Sequence, residues 1–255
     1  MKKNFIVFGF TAFILLAGCS ASHAATNLTT NSQKENPTVQ EVSHFTYEHQ
    51  EEWEFVSGNM QSPINIVTSQ VIDYKGSGLG LNYDQVGTSI EDNGHSIQVG
   101  LRGTAEIDER TFTLSQVHFH AESEHTIDGK HYPLEGHFVH KAADGRIAVI
   151  GVMFTAGEEN QAFGKILAAA KANAKGEKGI TIDNLDIGQL LPAHLVYYHY
   201  LGSLTTPPLT ENVEWYILKD AVQLSQGQLD DFYEYYDNNH RDIQELNDRK
   251  VFMKS

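Results

Sequence analysis

The residues best able to do chemistry are concentrated in Gln116-Val117-His118-Phe119-His120 and, downstream, in Glu135-Gly136-His137. Successive side chains of an extended segment point to opposite faces, so His118 and His120 share a face while Phe119 points away. His137 belongs to a second segment that also reads as extended. Three neutral imidazoles with a fourth position open are the ligand set of a catalytic zinc rather than a structural one. Gln116 and Glu135 each precede a histidine by two residues, which puts each on that histidine's face. A metal-bound imidazole needs a partner for its second ring nitrogen, and these two side chains are placed to serve. A single histidine is usually a satisfied core or surface residue. Two alternating histidines plus a third, two of them with polar companions at the same offset, read as ligands.

The elements that must position them are mostly strands. Ile97, Val99 and Leu101 alternate with polar residues, and Phe112 and Leu114 lead into the histidine face. Residues 146–155 are nearly continuous apolar sequence, which predicts a central strand buried on both faces. Val213, Trp215 and Ile217 alternate again. Helix is expected over 158–175, with Ala162, Phe163, Ile166, Leu167 and Ala170 at helical spacing and a stop at Gly176. A second helix is expected to open at the capping box Ser225-Gln226-Gly227-Gln228 and run to about Tyr236. Long strands with helices set aside predict an α+β, mainly β, single domain over 42–255 with a largely antiparallel sheet and short peripheral helices.

The chain begins Met1-Lys2-Lys3 and is apolar from Phe5 to Ala17, too short for a stable membrane span but laid out like an export signal. Leu16-Ala17-Gly18-Cys19 resembles the lipobox of bacterial lipoproteins, so residues 1–19 are expected to be an export signal ending at a lipid-anchored Cys19. Cleavage near Ser22-His23-Ala24 is the alternative and would release a soluble enzyme. Residues 20–41, rich in Ser, Thr, Asn and Gln, read as a flexible tether. The protein is therefore expected in the cell envelope, on its periplasmic or extracellular face, touching membrane only through that anchor. No cysteine follows Cys19, so the domain can form no internal disulfide. The formal net charge of −15 argues against nucleic acid as a partner, because phosphate binding needs a basic surface.

Further segments, taken together, resemble the α-class carbonic anhydrases of bacteria. They are Gln61-Ser62-Pro63-Ile64-Asn65-Ile66, Asn93-Gly94-His95, and Ser123-Glu124-His125-Thr126-Ile127-Asp128-Gly129-Lys130. The most distinctive is Tyr200-Leu201-Gly202-Ser203-Leu204-Thr205-Thr206-Pro207-Pro208-Leu209, and Arg241, Gln244, Leu246 and Arg249 close the pattern. The resemblance runs from about 45 to 251 in family order. It implies a twisted, largely antiparallel ten-stranded sheet with Zn2+ in a deep cleft; a homodimer is one assembly left open by the sequence. The activity it implies is reversible hydration of carbon dioxide to bicarbonate and a proton. In the family a zinc-bound hydroxide attacks and a histidine carries the proton to solvent.

Carried over residue by residue, the resemblance makes His118, His120 and His137 the metal ligands and His95 the proton shuttle. Thr205 and Glu124 become the orienting pair; a carboxylate only accepts, so the Thr205 hydroxyl is expected to donate to Glu124. Val139, Val149, Leu204, Thr206, Val213 and Trp215 map to the substrate pocket, apolar because carbon dioxide offers no charge to grip. Tyr47, Asn93 and Gln98 map to the proton path. Two departures stand out. Many bacterial members join the region before Gln-Ser-Pro to the one after Pro-Pro-Leu by a disulfide, and here those places hold Ser57-Gly58-Asn59-Met60 and Thr210-Glu211-Asn212. Tyr47 also lies closer to Trp53 than the family pattern has it.

Three rivals are weaker. His118-x-His120-x-x-x-Glu124 also fits the metal motif of cupins, which want a glycine where this chain has Phe112 and a second motif it lacks. Carbonic-anhydrase-like binding modules have typically lost a metal histidine, and all three remain. A zinc-scavenging lipoprotein predicts a His-rich acidic loop, whereas the 13 histidines are spread along the chain.

Overall fold

The alternating segments become one large twisted sheet. The computed structural model describes residues 45–53, 58–173 and 181–255, all within a compact unit spanning 44–255. The export signal, Cys19, the tether and the Gly176 helix stop lie outside the described residues. The sheet has twelve strands, not ten. Its main path runs Ile72–Asp73, Phe252–Lys254, Tyr197–Ser203, Glu211–Leu218, Ile147–Ala156, Leu134–Ala142, Arg110–His120, Ile97–Gly100 and Ser89–Asp92. Gly103–Ile107 pairs with Arg110–His120 and with Leu79–Tyr83, while Val222–Leu224 extends beside Ile147–Ala156. Most pairings are antiparallel, but Ile147–Ala156 runs parallel to both Glu211–Leu218 and Val222–Leu224. Three of the twelve, Ile72–Asp73, Val222–Leu224 and Phe252–Lys254, are two- or three-residue pieces, too short to leave a periodic signal.

The apolar stretch is the central strand expected: Ala148 through Phe154 are all buried between two neighbouring strands. Phe119, pointing away from the histidine face, packs its ring against Phe154, Phe163 and Phe232. Burying a side chain of that size contributes roughly 1.5–3 kcal/mol, and here it fastens the histidine-bearing strand to the core under the helices. The opposite face carries a second cluster, Ile64, Ile66, Val149, Met153, Tyr198, Tyr200, Val213, Trp215, Ile217 and Val251.

The first helix is shorter than expected, Gln161–Ala172, although all five predicted apolar residues are buried in it. Residues before it are held outside the helix: Glu158 N–H donates to Gln223 Oε1 and Asn160 N–H to Gln228 Oε1. Asn160 then caps the helix, accepting from Phe163 N–H at 3.0 Å. The capping box forms as read, but its helix ends at Tyr233, because Tyr235 N–H turns back to Phe232 O.

Where the family disulfide would lie, a carboxylate bridges instead. Glu211 Oε1 accepts from Met60 N–H at 2.7 Å and from Gln61 Nε2 at 3.1 Å. Gly58, at φ +101°, makes room for it, since a Cβ there would sit 2.0 Å from Glu211 Oε2.

His140, two strand positions beyond Phe138 on the core side, is fully buried; its Nε2 is hydrogen-bonded to the Tyr83 hydroxyl at 2.7 Å and its Nδ1 has no partner. Burial pushes its pKa down to about 4. Below the ordinary value the unfolded chain takes up a proton that the folded one refuses. Stability contributed by neutral His140 is thus complete above about pH 6.5 and is lost as pH falls through 4. A shift of that size is worth about 3 kcal/mol at the acid end. Urea unfolding at pH 7 and pH 4.5 should therefore show a smaller acid loss in His140→Leu than in the parent. Equal losses would mean that His140 does not govern this window.

Candidate active site

The antiparallel register sets His118 opposite His137 and His120 opposite Glu135. Ligand-capable atoms of His118, His120 and His137 lie within 4.8 Å of one another. One nitrogen of each ring is already committed. His118 Nδ1 pairs with Gln116 Oε1 at 2.9 Å, His120 Nδ1 with Asn239 O at 2.6 Å, and His137 Nε2 with Glu135 Oε1 at 2.9 Å. That leaves His118 Nε2, His120 Nε2 and His137 Nδ1 available, and His120 Nε2 is buried with no hydrogen-bond partner. A buried polar nitrogen without a partner is rare and costly, so His120 Nε2, grouped with the two other uncommitted ring nitrogens, fits a nitrogen-bound zinc.

Protonation favours the same use. Enclosure, then the two neighbouring imidazoles, holds His118 well below the usual histidine range, and burial lowers His120 as well. Both present neutral donors at neutral pH, as a metal requires. At His137 burial pulls down but the Glu135 carboxylate outweighs it and raises the pKa. Burial also opposes charge on Glu135; His125 and His137 overcome it and keep the carboxylate well below its usual range.

Glu135 is anchored for this role. It accepts from His125 N–H through Oε2 and meets His125 Nδ1 through Oε1, both at 2.8 Å. Gly151, paired with His137, leaves its space free: a Cβ there would lie 3.0 Å from Glu135 Oε1 and 2.6 Å from Ile217 Cδ1. The network continues inward. His125 Nε2 is hydrogen-bonded to the Tyr200 hydroxyl at 2.6 Å, which donates to Ser62 Oγ at 2.8 Å. Ser62 Oγ accepts from Ser203 N–H, the residue before Leu204 and Thr205. Trp215 Nε1 donates to Ser203 O at 2.9 Å and so ties the same loop to the sheet.

Glu124 is fully buried and accepts from Arg241 N–H through Oε1 at 2.9 Å. Its Oε2 lies 3.8 Å from His137 Nδ1 and has no hydrogen-bond partner. The expected Thr205-to-Glu124 hydrogen bond is therefore not made here, although Thr205 is buried on its loop and the accepting oxygen is free.

Comparison with known proteins decides the family. The family model of eukaryotic-type carbonic anhydrases matches residues 46–255. A carbonic anhydrase of Pectobacterium carotovorum is 41% identical over 198 residues, 76% of this chain and 80% of its own. One from Klebsiella pneumoniae is 38% identical over 231 residues, 84% of this chain and 93% of its own. The chain belongs to the carbonic anhydrase family. Among solved structures, an α-carbonic anhydrase from Thermovibrio ammonificans, in complex with the inhibitor sulfanilamide, is similar with a TM-score of 0.73. It is 40% identical, and the match covers 76% of this chain and 87% of that one.

Five of the six residues mapped to a carbonic anhydrase pocket lie in or against one patch. Val149 pairs with Val139 on one side and Trp215 on the other, so the three form a row across the sheet. Val213 joins their cluster, and Leu204 packs against it from the loop. The Trp215 ring stands 4.8 Å from the His137 ring, so this apolar wall adjoins the histidine cluster. Thr206 is half-buried and its carbonyl accepts from Leu209 N–H in the turn that closes the loop.

The residues expected to form a proton path are placed less uniformly. Gln98 pairs with His118, sharing its face. Asn93 Oδ1 accepts from both His95 N–H and Ser96 N–H at 2.9 Å, so this side chain shapes the turn that carries His95. The Tyr47 hydroxyl is buried without a partner; burial, then the charge of Glu124, raises its pKa well above the usual value. Sequence reasoning missed Asn239 and Gly151. Asn239 serves His120 through a backbone carbonyl, which any residue type could supply, and Gly151 matters only for the space it leaves.

Proposed function

We propose that this carbonic anhydrase hydrates carbon dioxide reversibly, with zinc held by His118, His120 and His137. The carrying observation is that each ring has one nitrogen fixed by a partner and one left over in the common cluster. When bound, zinc supplies the Lewis acidity that makes water a nucleophile at neutral pH; carbonic anhydrase is the reference case for that chemistry. The chain's own residues do the rest. Gln116, Asn239 and Glu135 orient the three imidazoles. If the Thr205 hydroxyl donates to the partnerless Oε2 of Glu124 in the working enzyme, it would keep only lone pairs for the reacting group and so would set the direction of attack. Val139, Val149, Leu204, Val213 and Trp215 receive an uncharged substrate without competing polar contacts. A pH-jump hydration assay, before and after chelation and again after adding zinc, tests the reading. Activity that survives complete zinc removal would refute it.

Each hydration leaves a proton in the cleft. An acid of pKa ~7 passes it to bulk water at only about 10³ s⁻¹ even if re-protonation is diffusion-limited. A group with pKa near 7 at the rim relieves that limit, and histidine is the side chain suited to it. His95 follows Gly94 (φ +88°) on a tight turn, and its strand pairs with the metal strand. His95→Ala should lower maximal turnover about 10-fold or more in weak buffer while leaving the catalytic efficiency for carbon dioxide nearly unchanged. Added imidazole should restore much of the rate. Unaltered turnover in dilute buffer would exclude His95 as the relay.

A further inference from the structure

We propose that His131 and His240 form a second metal site, which takes a borderline divalent cation such as Zn2+ or Cu2+ beside the segment that follows His120. The two rings come from segments far apart in sequence, yet their centroids are 5.6 Å apart and their planes 45° apart. Among His118, His120 and His137 the corresponding separations are 4.6, 5.0 and 5.2 Å. Imidazoles sharing one ion need about that spacing, because each nitrogen lies about 2.0–2.1 Å from the metal.

Hydrogen bonding has already set both tautomers. His131 Nδ1 meets Ser123 O at 2.6 Å, and His240 Nδ1 meets Ala121 O at 3.2 Å. A carbonyl only accepts, so in each neutral ring Nδ1 carries the proton and Nε2 is a bare lone pair. Neither Nε2 has a protein partner among the described residues. His118 and His120 show the same division, with Nδ1 held by Gln116 Oε1 and Asn239 O and Nε2 left over. An N–H donated to a carbonyl also orients a ligand ring and raises the basicity of its other nitrogen. Each ring can pivot on its Nδ1 bond to bring Nε2 to the ion.

The surroundings suit a cation that arrives from solvent. His131 is exposed and His240 half-buried, so water can fill the remaining coordination positions. The net charge of −15 favours a cation, and Glu122, exposed between the two carbonyl-bearing residues, puts negative charge in the same stretch. Imidazole nitrogens select zinc, copper or nickel over magnesium or calcium. A bound ion joins the loop at 131 to the closing segment at 240. Both are already tied to residues 121–123: Tyr132 N–H donates to Ser123 Oγ at 2.8 Å and Asn239 N–H to Ala121 O at 3.0 Å. A ligand that holds only the folded chain stabilises it by mass action.

The test uses the full zinc-loaded chain with Cu2+ as the probe, comparing the parent with His131→Ala, His240→Ala and His49→Ala. The last variant controls for the exposed cluster of His49, Glu51 and Glu52. Calorimetric titration should show a Cu2+ equivalent in the parent and in His49→Ala that each of the other two loses or binds at least about 10-fold more weakly. Electron paramagnetic resonance of that equivalent should show coupling to two imidazole nitrogens. Cu2+ at ten times Kd should raise the melting temperature by roughly 3–6 °C in the parent and not in His131→Ala or His240→Ala. Mg2+ should do neither, and catalytic zinc content and basal activity should be the same in all four proteins. His131→Ala alters an exposed position, so it keeps the test decisive if His240→Ala folds poorly. A Cu2+ equivalent that persists unchanged in either folded variant overturns the site, as does the absence of any such equivalent in the parent.

Discussion

His120→Ala should yield a folded protein that holds almost no zinc and hydrates carbon dioxide at the background rate. The reason lies in what the ring connects. His120 is buried, its Nδ1 is fixed by Asn239 O at 2.6 Å, and its Nε2 is the partnerless nitrogen of the cluster. Removing it leaves two imidazoles, too few to hold a catalytic zinc against dissociation. Glu135→Ala is the graded comparison, because it removes an orienting partner rather than a ligand. Loss of such a partner typically costs about 10- to 100-fold in metal affinity. Zinc measured by atomic absorption after dialysis, alongside stopped-flow hydration, separates the two variants. Stoichiometric zinc with full activity in His120→Ala would sink the ligand assignment.

Val149→Tyr should do the reverse, leaving zinc in place while hydration falls by at least about 100-fold, the effect of misplacing a substrate by a bond length. Val149 is 2% exposed, between Val139 and Trp215 and two residue pairs along the strands from Gly151 and His137. A tyrosine ring there must enter the pocket, since the core behind it has no void to offer. Overpacking should also cost about 1–3 kcal/mol of stability, so a lower melting temperature accompanies the loss. An unchanged rate, with zinc retained, would make Val149 plain core and move the substrate elsewhere in the cleft.

Much of this arrangement was legible along the chain. Strand parity alone put His118 with His120 and gave Gln116 and Glu135 to their histidines, because side-chain direction alternates within a single strand whatever that strand pairs with. The same local logic located the buried face of the first helix and the capping box at Ser225. The family motifs supplied the pocket residues, and five of the six lie in one patch or pack against it. Contacts between segments were not legible. Which carbonyl fixes His120, why residue 151 has no side chain, how Glu211 braces the Gln61 loop and which ring stands beside His131 all depend on register and approach between residues far apart in sequence. Backbone carbonyls serve equally from any residue type, and empty space has no composition, so neither leaves a mark in the order of amino acids. The Thr205–Glu124 pair lies between these cases: both residues were identified, yet whether the hydroxyl meets the carboxylate depends on how two segments far apart in sequence approach each other, and Glu124 Oε2 has no partner here.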